Sequence, residues 1–296
     1  MLALPAEVDV LDRLIAWGEA QQSIRALILT SSRARADATL DLLSDYDVIV
    51  AVTDTASFEA NDDWAAVYGR PLAGWGDQSE LYGLTTFFLG VVYSDGVKVD
   101  YTIWPDALLE RVAKAEALPE ALDVGYRVLL DKDGRTSGWA APAYRAHIPA
   151  PPKEAEYRAV IEEFWWDTTY VAKALWRGDV VFAKFVLDYD AKFIALRRVL
   201  EWRIELDHEW SLRPGAYGRG LERLLPADIS DELASTFVGT GVEDNWDALF
   251  RTTALFRRVA TEVGDALGYA YPENVDEGVS AHLEGVRQLG SRPGRQ

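Results

Sequence analysis

Apolar and polar positions follow strand-length blocks in the first half of the chain and a helical rhythm in the second. Val8, Leu11, Leu14 and Ile15 recur at helical spacing and predict an opening amphipathic helix over residues 7–18. Apolar runs at 24–30 and 47–53 predict strands. The second is apolar on both faces, as suits a central strand covered by helices on both sides. Residues 34–43 predict a short helix or loop, and Phe58, Trp64, Val67 and Tyr68 predict a helix over 58–69. Residues 71–83 contain Gly74, Gly76 and Gly83 and read as loop. Runs at 85–93 and 97–103 flank the turn Ser94-Asp95-Gly96 and predict a hairpin. A helix over 108–118 and a last strand over 127–130 complete this half.

Residues 135–152 carry Gly138, Pro142, Pro149, Pro151 and Pro152 without a sustained period, which marks a boundary. The expected organisation is a first domain over 1–135, a linker over 136–152, a helical domain over 153–290 and a frayed tail over 291–296. In the first long helix of the second half, Tyr157, Val160, Ile161, Phe164, Thr168, Val171, Ala172 and Leu175 share a broad apolar face. Glu163, Trp166, Asp167 and Tyr170 fall on the opposite one. Asp179 suits an N-cap for the apolar segment 180–194. The charged stretch Glu201-Trp202-Arg203-Ile204-Glu205 reads as a solvated helix face. Trp246, Leu249 and Phe250 read as core of a later helix. The fold class is α/β (α+β): a mixed sheet with flanking helices, then an all-helical domain.

Composition narrows the chemistry. The 296 residues are 49% hydrophobic and include no cysteine, which removes disulfides, thiolate metal sites and a cysteine nucleophile. His147, His208 and His282 lack the spacing of a metal site or triad and read as structural or surface residues. The net charge is −18, from 48 acids against 30 bases, which repels nucleic acid and suits a small cationic substrate. The amino-terminal residues lack a basic leader pattern and no apolar run approaches membrane-span length, so a cytoplasmic, membrane-free protein is expected, as monomer or homodimer.

The candidate chemistry lies in Asp45-Tyr46-Asp47. Alternation along a strand sends Asp45 and Asp47 to one side, a pair suited to a hard divalent cation that takes further ligands from water and phosphates. In 97–103 the odd positions are apolar or aromatic, so Lys98, Asp100 and Thr102 share the other face, and Asp100 can supply a third carboxylate. Ser31 and Ser32, at the end of the preceding strand, allow backbone N–H groups to approach a phosphate.

The order of these elements resembles the nucleotidyltransferase superfamily. A longer pattern, Ile24 through Thr30-Ser31-Ser32-Arg33, Asp45-Tyr46-Asp47-Val48, Glu163-Phe164-Trp165-Trp166, Thr169-Tyr170-Val171-Ala172-Lys173, Phe182-Ala183-Lys184-Phe185 and Asn245-Trp246-Asp247-Ala248-Leu249-Phe250, resembles the aminoglycoside 6-adenylyltransferase (streptomycin adenylyltransferase) family. The resemblance runs from about residue 8 to about residue 290 and implies a nucleotidyltransferase-like first domain, with substrates meeting in a cleft between the domains. It implies AMP transfer from ATP to a hydroxyl of streptomycin or a related aminoglycoside, with release of pyrophosphate and antibiotic resistance as the setting. Asp45 and Asp47 would hold Mg²⁺, two ions being implied. Asp100 would complete the metal site or take the proton of the attacking hydroxyl. Ser31, Ser32 and the Arg33 backbone would cradle the phosphates, with Lys173 or Lys184 reaching the β- and γ-phosphates. Glu163, Trp166, Asp167 and Tyr170 would orient the cationic acceptor through carboxylates and aromatic planes, although the two aromatics also suit packing against the first domain. One departure stands out: the family's Gly-Ser-Arg reads Ser31-Ser32-Arg33 here, which is costly if that position needs positive φ. A different small-molecule or protein acceptor, or an impaired homologue that only binds ligand, remains as the alternative.

Overall fold

The computed structural model describes residues 6–36, 38–212 and 215–289; the predicted tail lies outside them. The chain divides into two compact units, with the break between His147 and Ile148, inside the Pro-rich segment.

The first unit opens with helix α1 (Glu7–Ala20) and contains strands β1 (Ile24–Thr30), β2 (Tyr46–Val52), β3 (Pro71–Leu81), β4 (Leu84–Tyr93), β5 (Lys98–Pro105) and β6 (Tyr126–Asp131). The sheet runs β3-β4-β5-β2-β1-β6, and its one parallel pairing is β2 with β5. β2 is central, as its two apolar faces predict. One face packs Tyr46, Val48, Val50 and Val52 with α1 residues Val10, Leu14 and Trp17. The other places Ile49 and Ala51 among Trp104 and helix α3 (Ala107–Lys114) residues Leu108, Leu109 and Val112. Each fully buried aliphatic side chain contributes about 1.5–3 kcal/mol, so the position of this strand is strongly fixed.

Two expectations for this unit need correction. Residues 71–81 are a strand, β3, not a loop. Nearly every side chain of β3 is exposed, so its sequence carries no burial alternation; pairing to β4 through the backbone defines it. Residues 58–69 do not form one helix. The chain breaks into α2 (Thr55–Glu59) and a 3₁₀ turn (Asp63–Val67), and Phe58 and Trp64 join a ring cluster with Trp17 and Tyr101. A short helix α4 (Glu120–Asp123), not anticipated, buries Leu122.

The second unit is helical: α5 (Glu154–Arg177), α6 (Val180–Lys184), a π-helical segment over residues 185–196, α7 (Arg197–Asp207), α8 (Leu221–Leu224), α9 (Ala227–Ser235), α10 (Val242–Leu267) and α11 (Glu273–Gln288). α5 ends where Gly178 takes φ 75°, a left-handed cap that other residues adopt at a cost. Its predicted core face is buried throughout. Phe164 stacks on Phe256 of α10 at 3.6 Å between ring centroids. The stretch 201–205 is a correction: Trp202, Ile204 and Glu205 are buried, and Glu205 accepts a hydrogen bond from the Leu212 N–H.

Candidate active site

Parallel pairing of β2 and β5 sets Asp47 opposite Asp100 in register. Register partners in a sheet point to the same face, so the two carboxylates are neighbours by construction. Asp45, at the entry to β2, is drawn to the same place by Lys98, whose Nζ donates to Asp45 Oδ2 at 2.7 Å and to Asp100 Oδ2 at 2.8 Å. Burial first, then repulsion from Asp100 and Asp45, raises the Asp47 carboxyl from 3.8 to about 6 against the opposing pull of Lys98 and a hydrogen bond from Ser31. Asp100 Oδ1 is buried and has no hydrogen-bond partner among the described residues. Its space is kept by Gly90, its register partner on β4, where a Cβ would come within 2.9 Å of that oxygen.

These oxygens are the hard donors that Mg²⁺ takes, and the partnerless Oδ1 is an acceptor awaiting a donor or a cation. The residues therefore fit a divalent ion. Among the described residues no three such side chains form a ready ligand set, and Asp45 and Asp100 are both engaged by the Lys98 ammonium.

Ser31-Ser32-Arg33-Ala34 form a 3₁₀ turn at the end of β1. Ser31 has φ 58°, in the left-handed region that costs a non-glycine residue on the order of 1 kcal/mol. Its side chain lies close enough to the Asp47 carboxylate to favour the ionised form, an influence that glycine could not exert. The Arg33 side chain has a role the sequence did not suggest. Nε donates to the Ser44 and Asp45 carbonyls at 3.2 and 3.1 Å, and Nη2 donates to Ser44 O at 2.7 Å. Nη1 pairs with Glu7 at 2.9 Å and the guanidinium lies 3.9 Å over the Tyr46 ring. Arg33 thus fixes the backbone that presents Asp45. It also lines a cavity of about 230 Å³ with Glu7, Ser44, Tyr46 and Lys98.

In the second unit, α5 presents Glu163 and Trp166 to solvent, with Asp167 half-buried. Trp166 meets Tyr170 edge to face at 5.7 Å, and Tyr170 also reaches back to the helical core. Asp190, which sequence spacing did not connect to this face, joins it: burial first, then Asp190 and Glu163, raises Asp167 from 3.8 to about 6. Asp190 lies in the π-helical segment, whose spacing departs from the α-helical period read from sequence. The two lysines differ. Lys173 Nζ sits 4.2 Å from the Tyr170 ring centre. Lys184 is held inside the unit by the Val238 carbonyl at 2.9 Å and by Asp188 at 2.8 Å.

A mixed six-stranded sheet with helices, followed by a helical unit, is a nucleotidyltransferase-like architecture. The chain matches the streptomycin adenylyltransferase family over residues 5–286. It is 30% identical over 287 residues to an aminoglycoside 6-adenylyltransferase of Bacillus subtilis, covering 95% of this chain and 98% of that one. It is 27% identical to an aminoglycoside 6-adenylyltransferase of Campylobacter jejuni, covering 96% of each. A crystal structure of an aminoglycoside 6-adenyltransferase from Bacillus subtilis aligns over 96% of this chain and 99% of that one, at 27% identity and a TM-score of 0.48. The chain belongs to the streptomycin adenylyltransferase family. Among the described residues, no helix is long and apolar enough to cross a membrane.

Proposed function

We propose that this protein transfers AMP from ATP to a hydroxyl of streptomycin or a related aminoglycoside. The acceptor oxygen bonds to the α-phosphorus, the bond from that phosphorus to the bridging oxygen breaks, and pyrophosphate leaves. The hydroxyl's proton passes to a carboxylate of the aspartate group. The observation that carries this reading is the in-register pairing of Asp47 with Asp100, with Asp45 tied to the same group. Family membership and the names of the relatives support the donor and acceptor classes.

In this reading Asp45, Asp47 and Asp100 hold Mg²⁺, which when bound would neutralise charge on the triphosphate. Backbone N–H groups of the Ser31–Ser32 turn contact phosphate, and Ser31 and Arg33 keep Asp47 and the Asp45 backbone in place. Positioning and charge neutralisation supply most of the rate in such displacements. Glu163, Asp167 and Asp190 recognise a polycation, whose ammonium or guanidinium groups would relieve their mutual repulsion, and Trp166 and Tyr170 offer ring faces. Lys173, exposed at the edge of this face, is a candidate partner for the triphosphate, and it is favoured over Lys184, which is already doubly engaged.

Mass spectrometry of an aminoglycoside panel incubated with protein, ATP and Mg²⁺ tests the proposal. A streptomycin-class compound gaining one AMP is expected. Pyrophosphate release without any modified aminoglycoside would move the acceptor to another class of molecule.

A further inference from the structure

Lys98 is a basic side chain set inside the aspartate group itself. It lies two residues before Asp100 on β5 and shares its face. Its single ammonium bridges Asp45 Oδ2 and Asp100 Oδ2, and Asp47 is the register partner of Asp100 on the neighbouring strand. The Lys98 side chain is 39% exposed, so the stem can carry the ammonium outward without unpacking the sheet. Ion pairs with this degree of exposure are weak, and the three donors of an ammonium are a poor match for the roughly eight lone-pair sites on two carboxylates.

We propose that Lys98 is an internal counter-ion, which holds the aspartate group together in the ion-free protein and gives way to a divalent cation. The proposal rests on the reading of these aspartates as the cation site. Uptake of the ion is then an exchange: the two Lys98 hydrogen bonds break, Asp45 and Asp100 turn their oxygens to the ion, and a positive charge is released beside the site. The displaced ammonium stays tethered two residues from Asp100, where the negative charge of the triphosphate can receive it. This gives the first unit a cation of its own for the nucleotide.

The test is Mn²⁺ binding to the full-length, nucleotide-free protein, followed by isothermal titration calorimetry and electron paramagnetic resonance, with circular dichroism as the folding control. Lys98→Met keeps the stem and removes the competing charge. It should bind Mn²⁺ at least about tenfold more tightly than the wild type, since one full charge at hydrogen-bond distance no longer competes. Lys98→Arg keeps the charge and should remain near the wild type. The methionine variant should also melt at a lower temperature without metal and gain more from Mn²⁺. Equal or weaker binding by a folded Lys98→Met protein, where the wild type binds Mn²⁺ and Asp47→Asn does not, overturns the counter-ion assignment alone. Absence of Mn²⁺ binding in every variant overturns the cation-site reading, and the exchange with it.

Discussion

The Asp47→Asn substitution should remove turnover and make the protein more stable. The folded chain holds Asp47 mostly away from water and beside two other carboxylates, and its carboxyl titrates at about 6 instead of 3.8, from burial first and then from Asp100 and Asp45. A folded-state value above the unfolded one means that the unfolded chain releases this proton first. Stability therefore falls as pH rises from about 4 to about 6 and stays at the lower level above that. At about 1.4 kcal/mol per pH unit, the ionised side chain costs the fold on the order of 2–3 kcal/mol at neutral pH. The asparagine side chain is nearly isosteric with aspartate and carries no charge, so that cost disappears. For a unit of this size the gain corresponds to a melting point higher by roughly 5–10 °C. Scanning calorimetry in EDTA at pH 8 and at pH 4 measures it. The variant should exceed the wild type at pH 8 and converge with it at pH 4. A variant that melts at or below the wild type at pH 8, or that keeps its advantage at pH 4, would refute the electrostatic reasoning.

Arg33→Ala should reduce turnover by about 10–100-fold, the equivalent of one charge-assisted hydrogen bond, as the backbone that Arg33 holds at the Ser44 and Asp45 carbonyls loosens. Steady-state kinetics should also show partial recovery on adding guanidinium ion, and Arg33→Lys should not restore the wild-type rate. At position 31, Ser31→Gly should be more stable than Ser31→Ala by about 1 kcal/mol in urea unfolding, because both lose the hydroxyl but only the alanine retains the left-handed strain. Equal stabilities would remove the strain argument. In the helical unit, burial would raise the Asp276 carboxyl, but hydrogen bonds from Arg257, Tyr271 and Ser280 hold it below 3.8. Its stabilising contribution is present above that value and lost as pH falls beneath it. Arg257→Ala should cost about 2–3 kcal/mol at pH 7, with the loss shrinking under acid in chemical unfolding experiments.

Much of this fold is legible in the sequence where strand side chains are buried on one face or on both. β1, β2, β4 and β5 announce themselves through apolar runs, and the face shared by Lys98, Asp100 and Thr102 follows from alternation alone. β3 is invisible for the opposite reason: an edge strand with solvent on its side chains leaves no burial pattern, and its glycines imitate a loop. Pairwise placements across the chain are also hidden. Nothing local tells that Arg33 reaches the Ser44 and Asp45 carbonyls, that Lys98 bridges two acids, or that Asp190 is near enough to repel Asp167. Glu205 shows the converse error, since a charged residue among charged neighbours reads as solvated until the helix packs.

The most direct measurement of the central claim is the fate of labelled phosphate. With purified protein, Mg²⁺ and streptomycin, ATP labelled at the α-phosphate should pass its label to the antibiotic, while label at the γ-phosphate should appear only in pyrophosphate, and Asp47→Asn should abolish both. Label from the γ-position on the antibiotic, or undiminished α-transfer by the Asp47→Asn protein, would contradict the account.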